Sequence, residues 1–199
     1  MNWARYGLAV ALTMWLADQA GAIVTSNVGG KSTVDKELAQ VISVRSSGAA
    51  QQIWTAINEI ETSHDLAMGA DYVKVALASL SEIVGLLDQA IKGASTTTLT
   101  IGDPAQIQLE PKLAESAGSV NAADVMEYLK QRIRPWPPSE RATLEFLQAE
   151  TRFAVGAIEM MQAGQLGGNE DMVRFGVLTF TRYQYAVTAF SVLWALVVS

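Results

Sequence analysis

The chain has 199 residues, half of them apolar and 17% charged, with a formal net charge of −6. That apolar fraction suits a single packed domain rather than a disordered chain, and the acidic excess disfavours a nucleic-acid partner, whose phosphates call for clustered Lys and Arg. With no cysteine and one histidine, disulfides, thiolate nucleophiles, zinc–thiolate centres and any site needing two imidazoles are excluded.

Met1 to Gly7 carries one cation, Arg5. Leu8 to Ala17 (LAVALTMWLA) is an apolar run, and Ala20-Gly21-Ala22 fits a small-x-small cleavage pattern. A cation, a short apolar stretch and small residues, in that order, describe a secretory signal peptide. The run is too short to cross about 30 Å of hydrocarbon as a helix, which takes roughly 20 residues. The expectation is a signal peptide over 1–22, one helical-bundle domain over 23–199, and a periplasmic or secreted location in a bacterial envelope. The competing reading, which Asp18 favours, is an amphipathic or buried first helix.

Ile23 to Lys31 reads as a linker. Ser32 and Asp35 then resemble a capping box. Val34, Leu38, Val41, Arg45, Ala49, Ile53, Ile57 and Ile60 recur at spacings of three and four, one face of a helix broken by Arg45. Ser46-Ser47-Gly48 is a predicted interruption or kink, and a break is predicted near Gly69. A second helix carries Val73, Leu77, Leu80, Val84, Leu87 and Ile91 and ends at Lys92-Gly93, a cation followed by a glycine. From Ala94 to Pro111 the character changes. Thr96 to Ile101 is β-branched, Gly102-Asp103-Pro104 carries turn chemistry and Ile107 to Leu109 alternates, so a small β-hairpin over 96–109 and an irregular polar loop both stay open.

Asn121 and Asp124 cap a third helix carrying Val125, Met126, Leu129 and Ile133. Pro135, Pro137 and Pro138 stop it, because proline lacks the N–H and disfavours helix before it. Ser139 caps a fourth, with Leu144, Leu147, Ala154, Ile158 and Met161 at helical spacing. Gly164, Gly167 and Gly168 form a turn, and Asn169-Glu170-Asp171 starts a fifth helix with a cap and first-turn acids. The fold expected is all-α, a bundle of about five helices with antiparallel neighbours.

The last segment, 175–198, is apolar on nearly every side, the mark of a central bundle helix or a membrane helix. Eleven of its residues are Val, Leu or Phe, each worth roughly −0.3 to −0.6 kcal/mol toward insertion, against up to about 2.5–3.5 kcal/mol for Arg182. Hydropathy leaves the two readings near balance. The absence of a following cation leans toward burial, with membrane contact through 175–198 the alternative.

Few motifs carry chemistry. Gly29-Gly30-Lys31-Ser32-Thr33 looks like the end of a phosphate-binding loop, but the glycine required five residues before Gly30 is Thr25. Glu61 and His64 have the Glu-x-x-His spacing of di-iron bundles, which need it twice; Glu145, Glu150 and Glu159 are the carboxylates available to complete such a site. Nothing resembles Gly-x-Ser-x-Gly. The most distinctive stretch is Lys130 to Arg141. Lys130, Arg132, Arg134 and Arg141 flank Trp136 and three prolines in an otherwise acidic protein. It reads as a rigid cationic corner for an acidic partner or anionic surface, or simply as cations at a helix C-terminus with Trp136 packed beneath a proline turn.

The expected function is therefore a non-enzymatic, exported structural or adaptor protein in a cell-envelope or secretion-type assembly. It takes no cofactor and no metal, and binds protein partners as a homo-oligomer or larger assembly through Lys130, Arg132, Arg134, Trp136 and Arg141. The alternatives are a membrane-anchored or virion structural component using the C-terminal helix, and a ligand- or metal-binding bundle enzyme with its site between helices.

Overall fold

A computed structural model describes residues 36–63, 66–103, 122–163 and 169–198. They form helices α1 (Lys36–Ser63), α2 (Leu66–Gly93), α3 (Ala122–Arg132), α4 (Glu140–Gln162) and α5 (Asn169–Leu196), with two short strands, β1 (Thr100–Ile101) and β2 (Val197–Val198). The result is an all-α bundle. α1 packs on α2 and α5, and α4 packs on the same two, so four long helices close a ring. Neighbours run antiparallel. Ser43 near the start of α1 meets Ser191 near the end of α5, while Asp88 near the end of α2 meets Gln148 in the first half of α4.

The ring closes because each long helix presents an apolar stripe at helical spacing. In α2 the stripe is Val73, Ala76, Leu80, Ile83, Leu87 and Ala90, all buried. In α4 it is Leu144, Leu147, Ala154, Ile158 and Met161, as the sequence predicts. Each fully buried Leu or Ile contributes about 1.5–3 kcal/mol over its exposed state. α3 lies outside the ring against α5. Its Val125, Met126 and Leu129, with Ile133 just after it, form a second core with Phe146, Ala186, Ala189, Leu193 and Leu196.

This arrangement explains why α5 is apolar all round. Phe180, Tyr183, Val187 and Phe190 belong to the main core, and Ala186, Ala189, Leu193 and Leu196 to the second. A helix with neighbours on three sides needs no polar face. Its threonine and serine hydroxyls are satisfied locally, with Thr179, Thr181, Thr188 and Ser191 each donating to the carbonyl four residues earlier at 2.8–3.0 Å. Among the described residues, no helix is long and apolar enough to cross a membrane.

Two local expectations are corrected. α1 runs unbroken through Ser46-Ser47-Gly48, and its buried face is Ile42, Ser46, Ala49, Ala50 and Ile53 rather than Val41 and Arg45. Val41 is exposed, and Arg45 forms an ion pair with Glu82 on α2 at the surface. The small side chains on this face let α1 lie close to α5, where Ser43 and Ser191 hydroxyls bond at 2.9 Å and Ser47 donates to the Ser43 carbonyl. The break expected near Gly69 comes a few residues earlier: α1 ends at Ser63, and α2, which contains Gly69, begins at Leu66. Of the stretch considered for a hairpin, 104–109 lies outside the described residues, and β1 has its partner at the far end of the chain. It pairs antiparallel with β2, Thr100 opposite Val198 and Ile101 opposite Val197, and Gly102 N–H donates to the Leu196 carbonyl at 2.8 Å.

The stretch from Ala94 to Asp103 thus straps the start of α4 to the end of α5. Leu99 N–H donates to the Pro138 carbonyl and Arg141 N–H to the Ser95 carbonyl. The buried Glu140 carboxylate accepts from Ser95 N–H at 2.8 Å. α3 stops at Arg132 ahead of the prolines, and the Ser139 hydroxyl caps α4 by accepting from Ala142 N–H. The signal-like segment, the Gly29–Thr33 motif, the Asn121 cap, His64 and the Gly164–Gly168 turn lie outside the described residues.

Candidate functional site

The most elaborate polar cluster in the described residues joins α3, α4 and α5 around Glu150. The Glu150 side chain is only 6% exposed. A carboxylate removed from water must be paired and hydrogen-bonded, and Arg182 on the antiparallel helix does both. Its Nε and Nη2 donate to Oε2 at 2.6 Å and Oε1 at 3.0 Å, a two-pronged fork. Arg132, the last residue of α3, brings Nη1 to 3.5 Å from the same Oε1. This ion pair from the bundle to α3 adds to the apolar contacts of the second core.

Aromatic rings hold both guanidiniums in place. Arg182 lies over Phe153 at 3.7 Å from the ring centre and Arg132 over Tyr128 at 5.2 Å. Tyr128 in turn stands edge-on to Tyr185 and Phe146. The Glu150 hydrogen bond pushes the Arg182 pKa up despite its partial burial. Burial raises the Tyr128 phenol, with the Glu150 charge adding and Arg132 and Arg182 opposing. Tyr185 is raised by burial and then by Asp124.

Of the cationic corner predicted from sequence, Arg132 alone joins this cluster. Lys130 is exposed, 3.8 Å from Glu127 one turn earlier. Arg134 is exposed, between α3 and the prolines. Trp136 is half-buried against the second core, so its ring serves packing. Arg141 sits in the first turn of α4, its Nε buried without a hydrogen-bond partner. The peptide bonds preceding Pro135 and Pro137 are cis. Arg182, Phe153 and the pairing role of Glu150 escape sequence reasoning. Their signal is Arg182 itself, a cation inside an apolar helix, which needs a buried acid nearby.

The carboxylates considered for a metal site do not gather. Glu145 and Glu159 are exposed, and Glu150 is engaged by the two arginines. Among the described residues, no group of three or more His, Cys, Asp or Glu is placed to hold a metal ion.

A second polar feature lies deep in the ring. Tyr183 is fully buried beside Ser46 and Thr151. Neither the Tyr183 nor the Ser46 hydroxyl reaches full hydrogen-bond geometry, although both neighbouring hydroxyls pull the phenol's pKa down against the larger effect of burial, which pushes it up to about 12. The folded state therefore keeps a proton that the unfolded chain releases near the ordinary value of 10.0. Its stabilising contribution is complete below that value and is lost as pH rises from there toward about 12. We expect stability to fall in that window by up to about 1.4 kcal/mol per pH unit from this residue. Denaturant melts of wild type and Tyr183→Phe across alkaline pH check it. The variant should lose much of the slope while costing little at neutral pH, since it removes a poorly bonded buried hydroxyl.

No protein-family model matches the chain, and neither a curated protein nor a solved structure is significantly similar to it.

Proposed function

We propose that the protein is an exported helical-bundle component with a structural or adaptor role in a bacterial cell-envelope or secretion-type assembly. It works by protein–protein contact, as a homo-oligomer or within a larger complex. The observation that carries this reading is the Glu150 clamp. It ties α3, and with it the start of the cationic corner, to the four-helix ring: Glu150 is forked by Arg182 and forms an ion pair with Arg132. A surface held in one geometry meets a partner with less ordering cost than a mobile one. Lys130, Arg132 and Arg134 stand exposed on that surface, as an acidic partner requires. The order of charge, apolar run and small residues in Met1–Ala22 supports export.

Intact-mass measurement on protein recovered from its source cells, with its size in solution, tests the reading. The expected result is a chain beginning at Ile23, found outside the cytoplasm in an assembly larger than one copy. An unprocessed, monomeric chain in the cytoplasm would overturn it.

A further inference from the structure

We infer that Arg132 and Arg182, with the exposed Phe153 and Leu178 beside them, form the docking site for an acidic segment of a partner protein that presents a carboxylate next to an apolar side chain. The inference rests on the adaptor reading and names the chemistry of its partner. One carboxylate, Glu150, is shared by two guanidiniums, so the cluster retains an unbalanced positive charge. Both cations are within 3.5 Å of the same oxygen, near enough for one further carboxylate to touch both.

Each guanidinium has five N–H donors. Arg182 directs Nε and Nη2 at Glu150 and Arg132 directs Nη1 there, which leaves Nη1 of the first and Nε and Nη2 of the second for an incoming anion. Their side chains are 38% and 45% exposed, so those donors are reachable from solvent. Stacking on Phe153 and Tyr128 holds them in place beforehand, which lowers the ordering cost of binding.

The apolar half of the site adjoins the charged half. Phe153 lies under Arg182 and is 42% exposed; Leu178, one turn before Arg182 on α5, is 63% exposed. A narrow acidic segment meets only this local positive field, because charges beyond about 8–10 Å are screened at physiological salt. An anionic bilayer would face the whole acidic molecule, net charge −6, and be repelled.

The probe is a labelled synthetic peptide of alternating Glu and Leu, titrated into the full-length protein and followed by anisotropy. The expected result is saturable binding that weakens with salt, disappears when the peptide's Glu are replaced by Gln, and falls about tenfold or more in Arg132→Gln and in Leu178→Ser. Both variants spare the Glu150–Arg182 fork, and a circular-dichroism melt confirms that each is folded. Arg45→Gln, on the α1–α2 face, should bind as wild type does. Three results overturn the inference: no binding, binding indifferent to Arg132→Gln and Leu178→Ser, or preferential binding of phosphatidylglycerol vesicles. Self-association abolished by Leu178→Ser overturns it in favour of a second copy. If the assembly in source cells forms normally with both variants, the docking site fails and the adaptor reading stands; if wild type forms no assembly, the adaptor reading itself fails.

Discussion

Replacing Arg182 with methionine is expected to destabilise the protein by about 2–3 kcal/mol. Breaking a fully buried ion pair costs roughly 3–5 kcal/mol because the surviving charge is stranded. The lower figure applies because Arg182 is 38% exposed and Arg132 remains 3.5 Å from the carboxylate. Changing Glu150 to Gln alone leaves the two cations without a counter-charge, yet both reach water, so its cost should be smaller. The double variant should lose less than the sum of the singles, a coupling of about 1 kcal/mol or more between residues in one network. For a chain of this size each kcal/mol moves Tm by roughly 2–4 °C, so Arg182→Met should melt about 4–12 °C lower. Arg45→Ala supplies the comparison. Both side chains of the Arg45–Glu82 pair are about half exposed, and such pairs contribute about 0–1 kcal/mol. If Arg182→Met cost no more than Arg45→Ala, the clamp would hold nothing together.

Gly176→Leu should cost more, about 3 kcal/mol or above, and impair folding. A Cβ at Gly176 would lie 2.8 Å from Ile57 Cγ1, 3.1 Å from Met161 Cε and 3.2 Å from Ile57 Cδ1. Ile57 is 1% exposed and cannot swing into solvent. Even alanine faces two opposed effects. It gains about 1 kcal/mol of helix propensity over glycine, while overpacking a filled core costs about 1–3 kcal/mol. The Ile57 Cγ1 contact is close to Ile57's own backbone, so overpacking wins and Gly176→Ala should be destabilising by about 1 kcal/mol. Gly48, Gly85 and Gly156 lie within helices with nothing within 4 Å of an added Cβ. Alanine there should stabilise by about 0.5–1 kcal/mol each. Urea melts of the four alanine variants make the comparison. A stabilised Gly176→Ala would mean that α1 and α5 are not in close contact there.

Much of this architecture is legible in the order of residues. Caps, prolines and three-and-four spacing mark α2, α3, α4 and α5, because each is a local property of a helix: which face is apolar and where backbone donors run out. The α1 face is read correctly from Ala49 to Ile60 but misread by one residue at Val41 and Arg45. Hydropathy favours Val41 over Ser46, whereas packing favours the small side chain that lets α5 approach. Arg182 shows the same limit from the other side. On its own helix it counts only as a cost to burial, and its partner Glu150 lies 32 residues earlier.

Composition and periodicity alone thus established an all-α protein of about five helices, the Ser139 cap and the proline-rich corner, since these depend on neighbours along the chain. The tertiary structure decided that α5 is surrounded by α1, α3 and α4, that β1 pairs with β2 at the far end of the chain, and that Arg132 and Arg182 meet on one carboxylate. Those outcomes depend on which distant surfaces come together, and a buried charge or an unpaired strand edge specifies that a partner is needed without specifying which one.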